Sequence, residues 1–171
     1  MNGVTHQKWW GWGVEGVAFN YRDKPKMAPF VMDKVGIDLG APATPPPTFE
    51  DLDVPASRLP DALAAPLRAA VGYQHVVVED LDRVVHTYGK GLSDLVRVRA
   101  GDLPRVPDVV VYPADEDEVR AVVDAVVAAD AVLIPFGGGS NISGSLTPPP
   151  DEQRPVVSLD LGRMNRVLEV D

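Results

Sequence analysis

The chain contains no cysteine. Disulfides, thiolate zinc sites and cysteine nucleophiles are therefore excluded within it, while the redox compartment stays open. No apolar run approaches the roughly 20 residues that a membrane helix needs. The first residues, MNGVTHQKWWGWG, lack the apolar stretch of a secretory signal, and the chain does not end in a Ser-Lys-Leu address. A cytoplasmic protein with no transmembrane segment is expected. Positive charge is also scarce: 16 Lys and Arg stand against 25 Asp and Glu, a net charge of −9. Such a chain is a poor candidate for nucleic acid or an anionic membrane, and no nucleic-acid partner is expected. An anionic small ligand stays open, because backbone N–H groups can supply local positive potential. Three histidines, His6, His75 and His86, are scattered without ligand spacing, so no metal site is expected.

What is present is enough for a core: 171 residues, 45% of them hydrophobic. That length allows one domain, or a small domain with an extension. Residues 1–35 read as irregular. Trp9, Trp10 and Trp12 alternate with Gly11 and Gly13 there, a pattern that suits an arm docking its aromatics on an apolar body. Residues 41–60 hold six prolines and read as an extended connector. Residues 61–72 suggest a short helix capped by Asp61 and stopped by Gly72, with Pro66 inside it. Val76–Val78 suggests a short strand and Asp80–His86 a helical turn. Leu92–Val98 alternates weakly and reads as a strand, with Arg97 and Arg99 on its solvated edge.

From Pro107 onward the pattern sharpens. Val109-Val110-Val111-Tyr112-Pro113 is a β-branched run closed by proline, the signature of a buried strand. Asp115 or Asp117 offers a helix cap, and the acidic run Asp115–Glu118 suits a first helical turn better than a metal site. Val119, Val122, Val123, Val126 and Val127 follow at helical spacing, and Asp130 ends the helix. Ala131–Pro135 is a second buried strand and Val156–Asp160 a third. This is a β-α-β unit with parallel strands. Val167–Val170 starts another apolar run just before Asp171. One helix is thin cover for a parallel layer, so the chain reads as a fragment of a longer protein.

The chemistry sits in Pro135-Phe136-Gly137-Gly138-Gly139-Ser140-Asn141, directly after a buried strand. Three glycines let backbone approach a ligand without Cβ interference, and successive N–H groups in such a turn form an anion-binding nest. Ser140 and Asn141 add short polar side chains. The spacing is neither GxGxxG nor GxxxxGK[ST], which disfavours a nicotinamide Rossmann site and a P-loop. The competing reading is a flexible glycine turn ahead of Pro148-Pro149-Pro150.

The run from Pro107 to Asp160 and beyond, PDVVVYPADEDEVRAVVDAVVAADAVLIPFGGGSN and then VVSLDLGRMNRVLEVD, resembles the first half of the FAD-binding domain of the vanillyl-alcohol-oxidase and p-cresol-methylhydroxylase flavoproteins. Lys8-Trp9-Trp10-Gly11-Trp12-Gly13 resembles the start of alkyldihydroxyacetonephosphate synthases and their bacterial relatives. His86-Thr87-Tyr88-Gly89, Arg99-Ala100-Gly101 and Pro107-Asp108 extend that likeness over most of the chain. The resemblance implies an α+β fold: the first β-α-β lobe of an FAD-binding domain of that p-cresol-methylhydroxylase type over 105–171. An irregular, partly helical extension over 1–104 precedes it. It implies FAD as cofactor, its pyrophosphate wrapped by Pro135, Phe136, Gly137, Gly138, Gly139, Ser140 and Asn141.

The implied activity is exchange of the acyl group of acyl-dihydroxyacetone phosphate for a fatty alcohol, a step of ether lipid synthesis without net redox change. A small-molecule or lipid-like substrate is implied for the full-length protein, and a homodimer is allowed. The rival enzyme is an FAD-dependent 2-hydroxy-acid dehydrogenase or oxidase. The rival outside catalysis is a truncated remnant. The family's catalytic groups fall beyond these residues, so no catalytic residue is assigned, and the fragment alone is expected to be inactive.

Overall fold

The computed structural model describes residues 7–17, 21, 23–42, 45 and 48–170. His6, part of the 1–35 arm and four residues of the 41–60 connector lie outside that set. The elements in chain order are α1 (Met27–Val35), α2 (Asp61–Val71), β1 (Val76–Val77), α3 (Asp80–Val85), α4 (Leu92–Arg99), β2 (Val109–Val111), α5 (Glu116–Ala128), β3 (Val132–Phe136) and β4 (Val156–Asp160). The strands form one sheet in the order β1-β2-β4-β3. β4 pairs parallel with both β2 and β3, and β1 adds an antiparallel edge. The crossover from β2 through α5 to β3 thus leaves a gap that β4 fills. With a neighbour on each side and cover on both faces, all five β4 residues are buried.

Alternation along the strands divides the core. Val109, Val111, Val157 and Leu159 face α2 and α5, meeting Leu63, Leu67, Val71, Val122 and Val126. Burying each such side chain contributes about 1.5–3 kcal/mol relative to leaving it exposed. Val119 and Val123 are half-buried, whereas Val127 is 74% exposed and lies off the buried stripe. α5 begins at Asp115, whose Oδ1 accepts from Glu118 N–H at 2.9 Å. It ends in a Schellman turn: Asp130 adopts φ 48°, Ala131 N–H donates to Val126 O, and Asp130 N–H donates to Val127 O. In α2 the cap is Pro60, not Asp61, because Pro60 is the last extended residue and its carbonyl accepts from Leu63 and Ala64. Pro66 is tolerated on the exposed side, where water can serve the carbonyl its missing N–H leaves free.

Three further expectations change. Leu92–Arg99 is helix rather than strand. Asp94 Oδ2 accepts from Gly91 N–H, and Asp94 and Val98, four apart, are the buried pair, so the alternation was incidental. Residues 27–35, read as irregular, form α1, closed by Gly36 at φ 73°. Val167, Leu168 and Val170 belong to no element and are exposed.

The arm docks as its aromatics suggest. Trp9 is buried among Val84, Val85, Tyr88, Val98, Leu103 and Val106, edge-on to Phe49 of the connector. The Lys8 and Arg99 cations both lie over the Trp10 ring, at 5.3 and 5.5 Å from its centroid, and Arg99 Nε donates to Trp10 O at 2.8 Å. Trp12 stays exposed. The connector is fastened too, since Ser57 Oγ donates to Asp108 O at 2.7 Å and Arg58 N–H to Asp108 Oδ1 at 2.9 Å.

Candidate functional site

In sheets with parallel strands, ligands bind beyond the carboxyl ends of the strands. Here β3 runs directly into Gly137-Gly138-Gly139 at that end. Each glycine has a different environment. Gly139 adopts φ +65°, and a Cβ there would lie 2.6 Å from Phe136 Cζ, so the fold itself requires glycine. Gly137 and Gly138 have ordinary negative φ, and a Cβ on either would meet nothing within 4 Å. No neighbouring atom among the described residues demands their missing side chains.

The N–H groups of residues 137–141 make no hydrogen bond with any other described residue. They are the donors a diphosphate would match. Asn141 has a different task. Its Oδ1 accepts from Ser143 N–H and Ser145 N–H, and its Nδ2 donates to Ser143 Oγ and Ser145 Oγ at 3.1 and 2.7 Å. This Asx turn folds 141–145 back, so that Leu146 packs on Ile134, Phe136 and Val156. Ser140 and Pro135 are exposed, and the Phe136 ring is buried beneath the loop. Within Pro135–Asn141, Gly137, Gly138 and Ser140 are exposed, the buried Phe136 ring underlies Gly139, Asn141 braces the turn, and Pro135 lies on the opposite face of β3 from Phe136.

Beneath that floor lies a polar cluster without any periodic signal in sequence. The His86 ring packs at a tilt of 49° against Phe136 with centroids 4.1 Å apart. Its Nδ1 is 2.6 Å from Asp82 O, an acceptor only, so Nδ1 carries a proton. Its Nε2 is 2.8 Å from Asp160 Oδ2. Asp160 Oδ1 accepts from Gly162 N–H, holding the end of β4. Tyr112 O–H donates to Asp82 Oδ1 at 2.7 Å, and burial together with that carboxylate pushes the phenol well above its usual range. The pair His86 and Asp160, 74 residues apart, comes together only through the sheet.

The loop is also held from the α3–α4 side. Lys90 N–H donates to Asn141 O at 2.6 Å. Gly89 makes this approach possible, because a Cβ there would lie 2.1 Å from Asn141 O. Gln7 Nε2 donates to Gly138 O, and the next residue's carbonyl, Lys8 O, accepts from Lys90 Nζ at 2.7 Å. Burial lowers the Lys90 ammonium to about 8. Of these supports, the run His86–Gly89 had a sequence signal in its likeness to a family motif, while Lys90, Gln7 and Asp160 had none as site residues. Among the described residues no cluster of His, Asp and Glu could hold a metal, and no helix is long and apolar enough to cross a membrane.

A family described as FAD binding domain matches residues 107–171. Alkyldihydroxyacetonephosphate synthase of Dictyostelium discoideum is 37% identical over 143 residues, covering 84% of this chain and 22% of that protein. The Trypanosoma brucei brucei protein of the same name is 31% identical over 183 aligned positions, covering 96% and 30%. A solved alkyldihydroxyacetonephosphate synthase structure superposes with a TM-score of 0.82 at 30% identity, over 97% of this chain and 34% of that one. The chain thus spans 22% to 30% of the length of these curated relatives.

Proposed function

We propose that this chain, which carries an FAD-binding domain homologous to that of the alkyldihydroxyacetonephosphate synthases, holds the FAD diphosphate on the open backbone of Gly137–Ser140. The single observation behind this is that Gly137 and Gly138 lack side chains where the fold leaves room for them. Bound there, FAD would supply a flavin ring for electron transfer. The protein's part is to donate N–H groups to phosphate oxygens from a loop whose shape is set in advance by Phe136, Gly139 and Asn141. Preorganised donors lose little freedom on binding.

Pro135–Asn141 is the proposed cofactor contact set within a proposed FAD-binding portion over 105–171, with 1–104 as the extension that braces it. For the longer protein the proposed activity is exchange of an acyl for an alkyl group in ether lipid synthesis, acting on a lipid-like substrate. A homodimer and a cytoplasmic location belong to the same proposal. No catalytic residue is proposed within these 171 residues, and the chain alone is expected to bind FAD weakly and to show no turnover.

The test is an amide NMR titration of the 171-residue chain with FAD and, separately, with riboflavin, which lacks phosphate. The Gly137–Ser140 amides are expected to shift with FAD and not with riboflavin. Equal shifts with both, or none with FAD at millimolar concentration, would overturn the assignment.

A further inference from the structure

Three cations among the described residues are buried: Arg83, Lys90 and Arg105. Two of them are neutralised. Arg83 donates to Asp80 Oδ1 and to the carbonyls of Pro55 and Pro107. Arg105 forms a two-pronged pair with Asp108, Nη2 to Oδ2 at 2.6 Å and Nη1 to Oδ1 at 3.0 Å, and also reaches the carbonyls of Val106, Glu152 and Arg154. Lys90 is different. It is 5% exposed, and its ammonium meets one acceptor among the described residues, the neutral Lys8 carbonyl. No described carboxylate pairs with it. An ammonium has three donors, and burying its charge without an anion is costly.

This lysine is fixed at the glycine loop from two directions. Its own N–H holds Asn141 O, at the far end of the loop. Its Nζ holds the Lys8 carbonyl, and the adjacent Gln7 reaches Gly138 O in the middle of the loop. The ammonium that lacks a described carboxylate and the open N–H groups are therefore tied to the same loop, in a chain whose net charge is −9. A ligand carrying phosphate would satisfy both.

From this juxtaposition we infer that Lys90 is a further binding residue for the anionic part of the ligand held at the glycine loop, with the Lys8 carbonyl positioning its ammonium. The inference rests on the proposed FAD site and adds to it a charged side chain that the loop motif does not contain. It also gives the docked arm a role beyond covering Val84 and Val98. Through Lys8 and Gln7 the arm sets where the ammonium and the middle of the loop stand.

The test uses the full 171-residue chain with FAD, ADP and riboflavin as probes. In the wild-type chain the Lys90 Cε resonance is followed together with the Gly137–Ser140 amides. FAD and ADP are expected to move both, and riboflavin neither. If the amides move while Lys90 does not, the lysine assignment falls and the loop assignment stands. If neither moves, both fall. In a second arm, Lys90→Met is expected to weaken FAD binding about tenfold to a hundredfold, the range for losing one charge-assisted hydrogen bond. It should also flatten the salt dependence of binding, and Lys90→Arg should restore part of each. Wild-type affinity and salt dependence in a Lys90→Met chain that melts normally would overturn the inference.

Discussion

The two ends of the parallel strands are built on opposite plans. At the amino end, Asp108 is fully buried and every oxygen is in use. Its carboxylate accepts from Arg105, from Arg58 N–H and from Val156 N–H, and its carbonyl from Ser57 Oγ. One side chain thus ties the connector, β2 and β4 together. At the carboxyl end, the N–H groups of the glycine loop have no partner among the described residues, and the buried Lys90 has a carbonyl where Arg105 has a carboxylate. An end that only has to hold satisfies its polar groups internally. The other end leaves donors open and fixes them from below, as the proposed ligand site would require.

The contrast can be broken most severely at the closed end. Asp108→Ala leaves Arg105 buried without its anion, and a loss of about 3–5 kcal/mol is expected, measured by urea unfolding. Acid reaches the same pair without a mutation. Burial pushes the Asp108 carboxyl up, but hydrogen bonds from Arg105, Val156 N–H and Arg58 N–H outweigh it and hold the group below its ordinary value. The stabilisation is therefore complete above the unfolded carboxyl value of about 3.9 and is lost as pH falls below it through the folded value. A stability profile that stays flat from pH 5 down to pH 2.5 would count against the pair.

At the open end the effects should be smaller and should separate stability from binding. Gly89→Ala places a Cβ against the Asn141 carbonyl, with an expected cost of about 1–3 kcal/mol by thermal melting and a displaced loop that no longer binds FAD. Gly139→Ala meets both a left-handed φ and the Phe136 ring, and about 1–2 kcal/mol is expected from the backbone alone. Gly138→Ala should change stability by less than about 0.5 kcal/mol, since nothing surrounds the new methyl. Its effect should appear in the FAD titration instead, as a loss of affinity. If Gly138→Ala destabilised the chain as much as Gly139→Ala, the distinction drawn among these glycines would collapse.

Much of the architecture was legible because strands and helices advertise themselves by period. β2, α5, β3 and β4 were readable from runs of valine bounded by Pro113, Asp115 and Asp130. The Leu92–Arg99 helix was not, because eight residues of mixed polarity fit a period of 2 as readily as one of 3.6. The valine stripe of α5 was read one residue too wide, at Val127, because helical spacing identifies a face without fixing where its edge lies.

The sequence alone determined the glycine loop, the strand that presents it and the family to which both point, because these are local: a β-branched run, three small residues and their order. The tertiary structure decided which glycine serves folding and which leaves room for a ligand, that β4 separates the two strands of the β-α-β unit, and that His86 meets Asp160 beneath Phe136. It also decided that Lys90 stands beside the loop with no carboxylate partner among the described residues. Those facts depend on which residues far apart in the chain become neighbours, and no local pattern encodes that when the contacts are single polar side chains rather than periodic apolar faces.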